Sequence, residues 1–382
     1  MNRESSISKI VPVMLAFFVM GFVDLVGIAT NYVKQDFSLS DTAANAFSVM
    51  LFLWFLVLSV PTGMLMNKIG RKKTVLLSMV VTLLGLVCPF IQYGKAAMFI
   101  AFALLGIGNT FMQVSLNPLV ANMVAPEKQP SFLTLGQFVK AIASFLAPII
   151  AVQAALKFND WRLLFGIFAF IDLVALIYLY ATDVKESDEK KEVSSFLDCI
   201  KMLGQGTILF LFIGILMHVG LDVGINITAP KLLQERTGMT LAQAGYATSV
   251  YFLMRTLGSF LGTFIMSRFS PVKTFLVSTL MILVGVVGLF FFNGAAGIYV
   301  CVALIGLGNS NVFSIIFSNA LRYMPEKNNE ISGLMIMGIS GGAVIPVIMG
   351  AASDALASQI GSVIVLAVCV AYLLFLNVKL AD

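Results

Sequence analysis

Charge is scarce in this sequence. Of 382 residues only 11% are Asp, Glu, Lys or Arg, while 59% are hydrophobic; a soluble domain carries about a quarter charged residues. The shortage excludes an ordinary water-soluble fold and leaves an integral membrane protein. Cysteine is equally sparse. Of the four, Cys88, Cys301 and Cys369 fall in apolar segments and only Cys199 in a loop, with no spacing that suggests a metal site or a disulfide framework. His218 is the single histidine, and no nucleophile, metal or phosphate motif is present. An enzyme is therefore not expected, and neither is a cofactor or a metal. Alternating segments of about ten residues, which build a transmembrane barrel, are missing as well.

What is there instead is a succession of apolar runs, each long enough to cross a hydrocarbon layer of about 30 Å. Twelve spans are predicted, at 9–34, 43–67, 73–93, 96–124, 131–156, 161–183, 206–232, 241–267, 272–293, 295–323, 330–353 and 360–379. The first is too long for the apolar region of a signal peptide and lacks a cleavage pattern, so it is expected to be retained. The one long charged run, "TDVKESDEKKEVSSFLDCIK" (182–201), reads as a solvated linker. The predicted organisation is all-α: an N-terminal six-helix bundle (1–183), a cytoplasmic linker (184–205) and a C-terminal six-helix bundle (206–382).

Basic residues orient the chain. Of 24 Lys and Arg, 16 fall on the side of the termini, six on the other (Lys34, Lys95, Lys157, Arg162, Lys231, Arg236), and Lys140 and Arg255 lie within spans. The bias predicts both termini in the cytoplasm and assigns the net positive charge to topology, not to nucleic-acid binding.

The halves repeat at an offset near 200. "LLGIGNTFMQ" (104–113) matches "LIGLGNSNVF" (304–313), "APEKQ" (125–129) matches "MPEKN" (324–328), and "MNKIGRKKTVLLS" (66–78) matches "MSRFSPVKTFLVS" (266–278). Parallel repeats of this kind imply two bundles related by a pseudo-two-fold axis, with a binding cavity between them near the midplane.

A charge within a span is costly and usually faces a cavity or a partner. The midspan set is Asp24, Lys140, Asp172, Asp222 and Arg255, and Asp24 aligns with Asp222 in the repeat. Two pairs are expected, Asp24 with Lys140 and Asp222 with Arg255; the plain alternative is that they only staple helices together. Helical spacing adds polar stripes: Asn109, Gln113 and Asn117 on the fourth span, Gln137 and Lys140 on the fifth, His218, Asp222 and Asn226 on the seventh, Tyr251 and Arg255 on the eighth, with Asn309 repeating Asn109. Buried amides and carboxylates suit a ligand rich in hydroxyls, since each needs a partner once water leaves. Where the first half has Gln113 and Asn117, the second has Phe313 and Phe317, and a polar wall facing an aromatic one fits a sugar. Asp172, with no basic counterpart, is expected to be structural. Gly-rich "GISGGAVIPVIMG" (338–350) suits either a bending helix or close packing.

These residues carry a resemblance. "GMLMNKIGRKK" (63–73) resembles the G-x-x-x-D-R-x-G-R-R loop of the major facilitator superfamily, with Asn67 and Lys68 in place of the usual Asp-Arg; it implies a gating loop built on Gly63, Asn67, Gly70 and Arg71. More narrowly, "GFVD" (21–24), "QVSLNPLV" (113–120) and "TLGQFVK" (134–140) resemble the fucose:proton symporter family. That resemblance implies that Asp24 is the first-helix acid governing protonation and sugar binding. Gln113 stands where a glutamate is expected in E-T-A-A-N-P, and Lys140 where an asparagine lies near the sugar.

The expectation is a secondary transporter of the bacterial inner membrane, importing a neutral or acidic sugar by alternating access. Proton coupling would run through Asp24, or through Asp222 with His218, and sodium is the alternative ion. The lipid bilayer is the surrounding partner and a monomer is expected. The first rival is an efflux antiporter for drugs or metabolites; a membrane sensor is the second and would need a signalling domain not evident in the chain.

Overall fold

Residues 7–124, 129–184, 196–268, 270–324 and 327–381 are described by a computed structural model. All regular structure among them is helical. The long helices in chain order are α1 (Lys9–Asp36), α2 (Asp41–Ile69), α3 (Arg71–Ile91), α4 (Lys95–Met123), α5 (Gln129–Phe158), α6 (Leu163–Ala181), α7 (Gly206–Thr237), α8 (Tyr246–Arg268), α9 (Pro271–Phe291), α10 (Ala295–Tyr323), α11 (Ile331–Leu356) and α12 (Ile360–Ala381). Eleven are long and apolar enough to cross a membrane. The remaining one, α8, has 23 residues, or about 34 Å of helix at 1.5 Å per residue, and carries Arg255 midway. Each predicted span coincides with one of these helices.

Three helices break near their middles. α1 passes through a 3-10 turn at Gly21–Leu25. α10 is interrupted between Asn309 and Val312. α11 contains a 3-10 turn at Gly338–Ser340, inside the Gly-rich stretch. Such breaks leave backbone groups that only protein or a water-lined cavity can satisfy in a membrane.

The repeat has a packing consequence. A Cβ on Gly106 would lie 2.1 Å from the Leu51 carbonyl oxygen of α2, and one on Gly306 would lie 2.6 Å from the Tyr251 carbonyl oxygen of α8. Gly108 and Gly308 meet the Ser78 and Ser278 carbonyls of α3 and α9 in the same way. Small residues let backbones approach this closely, so the offset of 200 marks equivalent helix crossings. Contacts between the first six helices and the last six run mainly through α2 with α11, α5 with α8, and α1 with α7. Under the same offset the first two of these pairs exchange and the third maps onto itself.

Large exposed apolar side chains gather on α3 (Leu84), α6 (Phe170, Ile177), α9 (Val284) and α12 (Val368). Water would not tolerate such patches; lipid does. α2 and α3 are joined by Gly70 alone, at φ 95°, a backbone shape that side chains disfavour. Its N–H donates to the Met66 carbonyl at 2.9 Å. Of the predicted linker, residues 185–195 lie outside the described residues, as do 125–128 and 325–326 of the APEKQ and MPEKN segments. The end of the linker forms a short helix, Phe196–Lys201, whose Cys199 is buried against Gly333 of α11.

Candidate functional site

The 3-10 turn of α1 presents Asp24 at mid-helix. Where the helix tightens, the Met20 carbonyl accepts a hydrogen bond from Asn109 Nδ2 at 2.7 Å, so α4 supports the break. The Asp24 carboxylate accepts from Ser144 Oγ of α5 at 2.5 Å. The expected ion pair with Lys140 does not form: no pair within 4 Å among the described residues includes Lys140. The reason lies in the helix crossing. Gly21 meets the Lys140 backbone carbonyl, 2.5 Å from where its Cβ would stand, and Ser144, one turn on, faces the carboxylate. Lys140 still lies within electrostatic reach of Asp24, Asp222 and Arg255.

The second carboxylate is held more fully. Asp222 of α7 pairs with Arg255 of α8 at 2.8 Å, as the sequence suggests. It also accepts from the Tyr251 hydroxyl, one helical turn from Arg255, and from Asn309 Nδ2 at 3.3 Å. Asn309 Nδ2 donates to the Tyr251 hydroxyl at 2.7 Å, and its Oδ1 accepts from His218 Nδ1 at 2.8 Å. His218, Asp222, Tyr251, Arg255 and Asn309 thus form one network. His218 is wholly buried.

The polar stripes divide into two kinds of residue. Asn109 and Asn226 commit their amide N–H groups to backbone carbonyls, of Met20 and Asp222 respectively. Among the described residues, the amide oxygens of Asn109, Asn117 and Asn226 are buried with no hydrogen-bond donor. Gln113 is partly buried and Gln137 is exposed. Phe313 stacks on Phe317 with centroids 5.6 Å apart and lies 6.2 Å from His218. Asp172 is fully buried, and neither carboxyl oxygen is bonded among the described residues; one turn before it, Phe168 stacks on Phe22 of the α1 break at 3.9 Å. Gly63, Asn67, Gly70 and Arg71 sit at the end of α2 remote from Asp41, about 40 Å along a helix of this length.

Because Asn109 holds the Met20 carbonyl, Asn109→Ala strands that carbonyl at the break. A loss of about 1–3 kcal/mol of stability is expected, measurable as a lowered unfolding temperature in detergent.

Two features are not evident from the residue patterns considered above. One is Ser144, which lies one turn from Lys140, so helical spacing puts it on the same face but does not select it over Lys140. The other is a cluster at the end of the molecule opposite the N-terminus. Asp41 at the start of α2 accepts from Lys34 Nζ at 2.7 Å, from Lys231 Nζ of α7 at 2.6 Å and from Gln359 Nε2 at 2.7 Å. Asp354 near the end of α11 accepts from the backbone N–H of Asp41 and Thr42 at 2.8 and 2.9 Å. The first and last six helices are latched together there. In the sequence these residues look like ordinary charges near loops.

The Major Facilitator Superfamily description matches residues 13–347. A glucose/galactose transporter of Brucella abortus is 27% identical over 94% of this chain and 91% of its own length. Among solved structures, a bacterial homologue of the human lysosomal transporter Spinster, inward-facing and occupied, matches with a TM-score of 0.77 at 14% identity, over 97% of this chain and 96% of that one. The E. coli fucose:proton symporter FucP matches with a TM-score of 0.66 at 17% identity over 98% of each chain.

Proposed function

We propose that this chain, which belongs to the Major Facilitator Superfamily, imports a sugar together with a proton by alternating access between two six-helix bundles, 1–183 and 206–382. It is a transporter and not an enzyme. The observation that carries the reading is the pairing of positions: Asp24 and Asp222, equivalent in the repeat, come from opposite halves into one charged cluster. Asn109 and Asn226, bonded to the Met20 and Asp222 carbonyls beside the two carboxylates, carry buried amide oxygens that lack donors among the described residues. Hydroxyl groups of a sugar supply such donors, and Phe313 with Phe317 offers a face for its C–H groups.

Asp24 takes the proton in this scheme. Its only polar partner among the described hydrogen bonds is the Ser144 hydroxyl, which can bond either protonation state, whereas Asp222 is occupied by Arg255, Tyr251 and Asn309. With both termini cytoplasmic, in the inner membrane of a bacterium, the Asp41 latch holds the two bundles together at the outer face. The linker 184–205 joins the bundles on the inner face, Gly63–Arg71 forms the gating loop there, and a single chain completes the site. An efflux antiporter for apolar drugs would leave the amide oxygens without donors.

The test is uptake by proteoliposomes against a panel of neutral and acidic monosaccharides under an inward proton gradient. Accumulation of at least one sugar, collapsed by a protonophore, is expected. No accumulation of any sugar, with outward movement of apolar drugs instead, would overturn the reading.

A further inference from the structure

The charges of the cluster say more about the substrate than its hydroxyls do. Lys140 and Arg255 each lie within electrostatic reach of both Asp24 and Asp222. Asp222 and Arg255 form an ion pair, and the Tyr251 hydroxyl and Asn309 amide complete the carboxylate's bonding. His218 is spent on Asn309. Asp24 accepts from Ser144. Among the described residues neither Asp24 nor Lys140 makes an ion pair within 4 Å; Asp24 has the Ser144 hydroxyl as a partner, and Lys140 is the charge left without one. It stands partly buried on α5, near two amides, Asn109 and Asn226, that are bonded to the backbone beside Asp24 and at Asp222 and whose oxygens lack donors among the described residues.

We infer that the substrate is a sugar acid, whose single negative charge is taken by Lys140 while its hydroxyls donate to those amide oxygens. The inference rests on the sugar-transport reading above and narrows it.

Charge balance supports the assignment. With both acids ionised, two carboxylates oppose two cations and the empty site is neutral. Protonation of Asp24 removes one negative charge and leaves the site positive by one. A monoanion restores neutrality; a neutral sugar does not. Reorienting a site with net charge in the middle of a membrane is costly, so a carrier neutral both empty and loaded turns over most easily. One proton and one anion then cross together without moving net charge.

The experiment compares glucose and galactose with their uronates, using the purified wild-type protein for binding and proteoliposomes for uptake. A uronate should bind more tightly than its parent hexose by about tenfold or more, the worth of one charge-assisted contact. Its accumulation should follow the pH gradient and stay unchanged when a potassium diffusion potential is imposed. Lys140→Asn should collapse the uronate-to-hexose affinity ratio toward one, and Lys140→Arg should keep it. Tight binding of a hexose with no preference for its uronate would overturn the inference and leave the sugar reading standing. Uronate uptake that responds to the potential would overturn it too. Binding of neither class would overturn both. The wild-type comparisons decide the question even if Lys140→Asn does not fold.

Discussion

Asp24→Asn should abolish gradient-driven accumulation while preserving exchange of substrate across the membrane. The substitution fixes the side chain in a neutral form resembling the protonated acid, and the amide still offers an oxygen to Ser144 Oγ, which stands 2.5 Å from the carboxylate. The α1 break should survive, because Asn109 supports it through the Met20 carbonyl and not through Asp24. What is lost is release of the proton. In the wild type, one proton moving down one pH unit supplies about 1.4 kcal/mol and sustains about a tenfold accumulation. In the variant that ratio should fall to one, while labelled substrate continues to exchange against unlabelled substrate inside. Accumulation at the wild-type level would move the proton to another group, and loss of exchange as well would show that Asp24 is needed for binding or folding.

The expected loss depends on a residue that stands out in the bare sequence, because a carboxylate in an apolar run is rare and costly. The helices are legible for the same reason: each span is a local property of about 20 residues, and the repeat of Gly106, Gly108 and Asn109 at Gly306, Gly308 and Asn309 marks equivalent crossings. Asp222 with Arg255 is also readable, since Tyr251 and Arg255 share one helix face. The Asp24 partner is not. Which of Lys140 and Ser144 meets the carboxylate is settled by a crossing at Gly21, a relation between two helices far apart in the chain. Asn109 shows the same limit. Its place in a polar stripe suggests a ligand contact, yet half of its amide is occupied by the backbone of α1, and only the oxygen stays open. The 3-10 turn that creates this demand has no clear signature in "GFVDL" (21–25). The Asp41 latch joins residues from three separated segments, 34–42, 231 and 354–359, and nothing in any one of them distinguishes it from solvated charge.

Arg255→Ala should be the most damaging single change to stability among the cluster residues. It leaves the Asp222 carboxylate in place with Tyr251 and Asn309 as donors but without its counter-charge. Removing one partner of a buried ion pair typically costs about 3–5 kcal/mol. The Arg255 side chain is 30% exposed and that of Asp222 13%, so solvent screening should place the loss toward the lower end of that range. Asp222→Asn should also destabilise, since Arg255 is then the unpaired charge and the Tyr251 hydroxyl loses its carboxylate. The double variant removes both charges, and replacing a buried pair by neutral residues is often close to neutral in stability. Thermal unfolding in detergent should therefore show each single change lowering the midpoint and the double change recovering much of it. Transport should not recover with it. Without the pair, the site keeps Lys140 opposite Asp24 alone, and Asn309 loses one of the acceptors that hold it against His218. A double variant as unstable as the sum of the two singles would show that the ion pair carries no coupling, and that packing alone explains both losses. A double variant with full transport would show that the second carboxylate, although equivalent to Asp24 in the repeat, takes no part in the cycle.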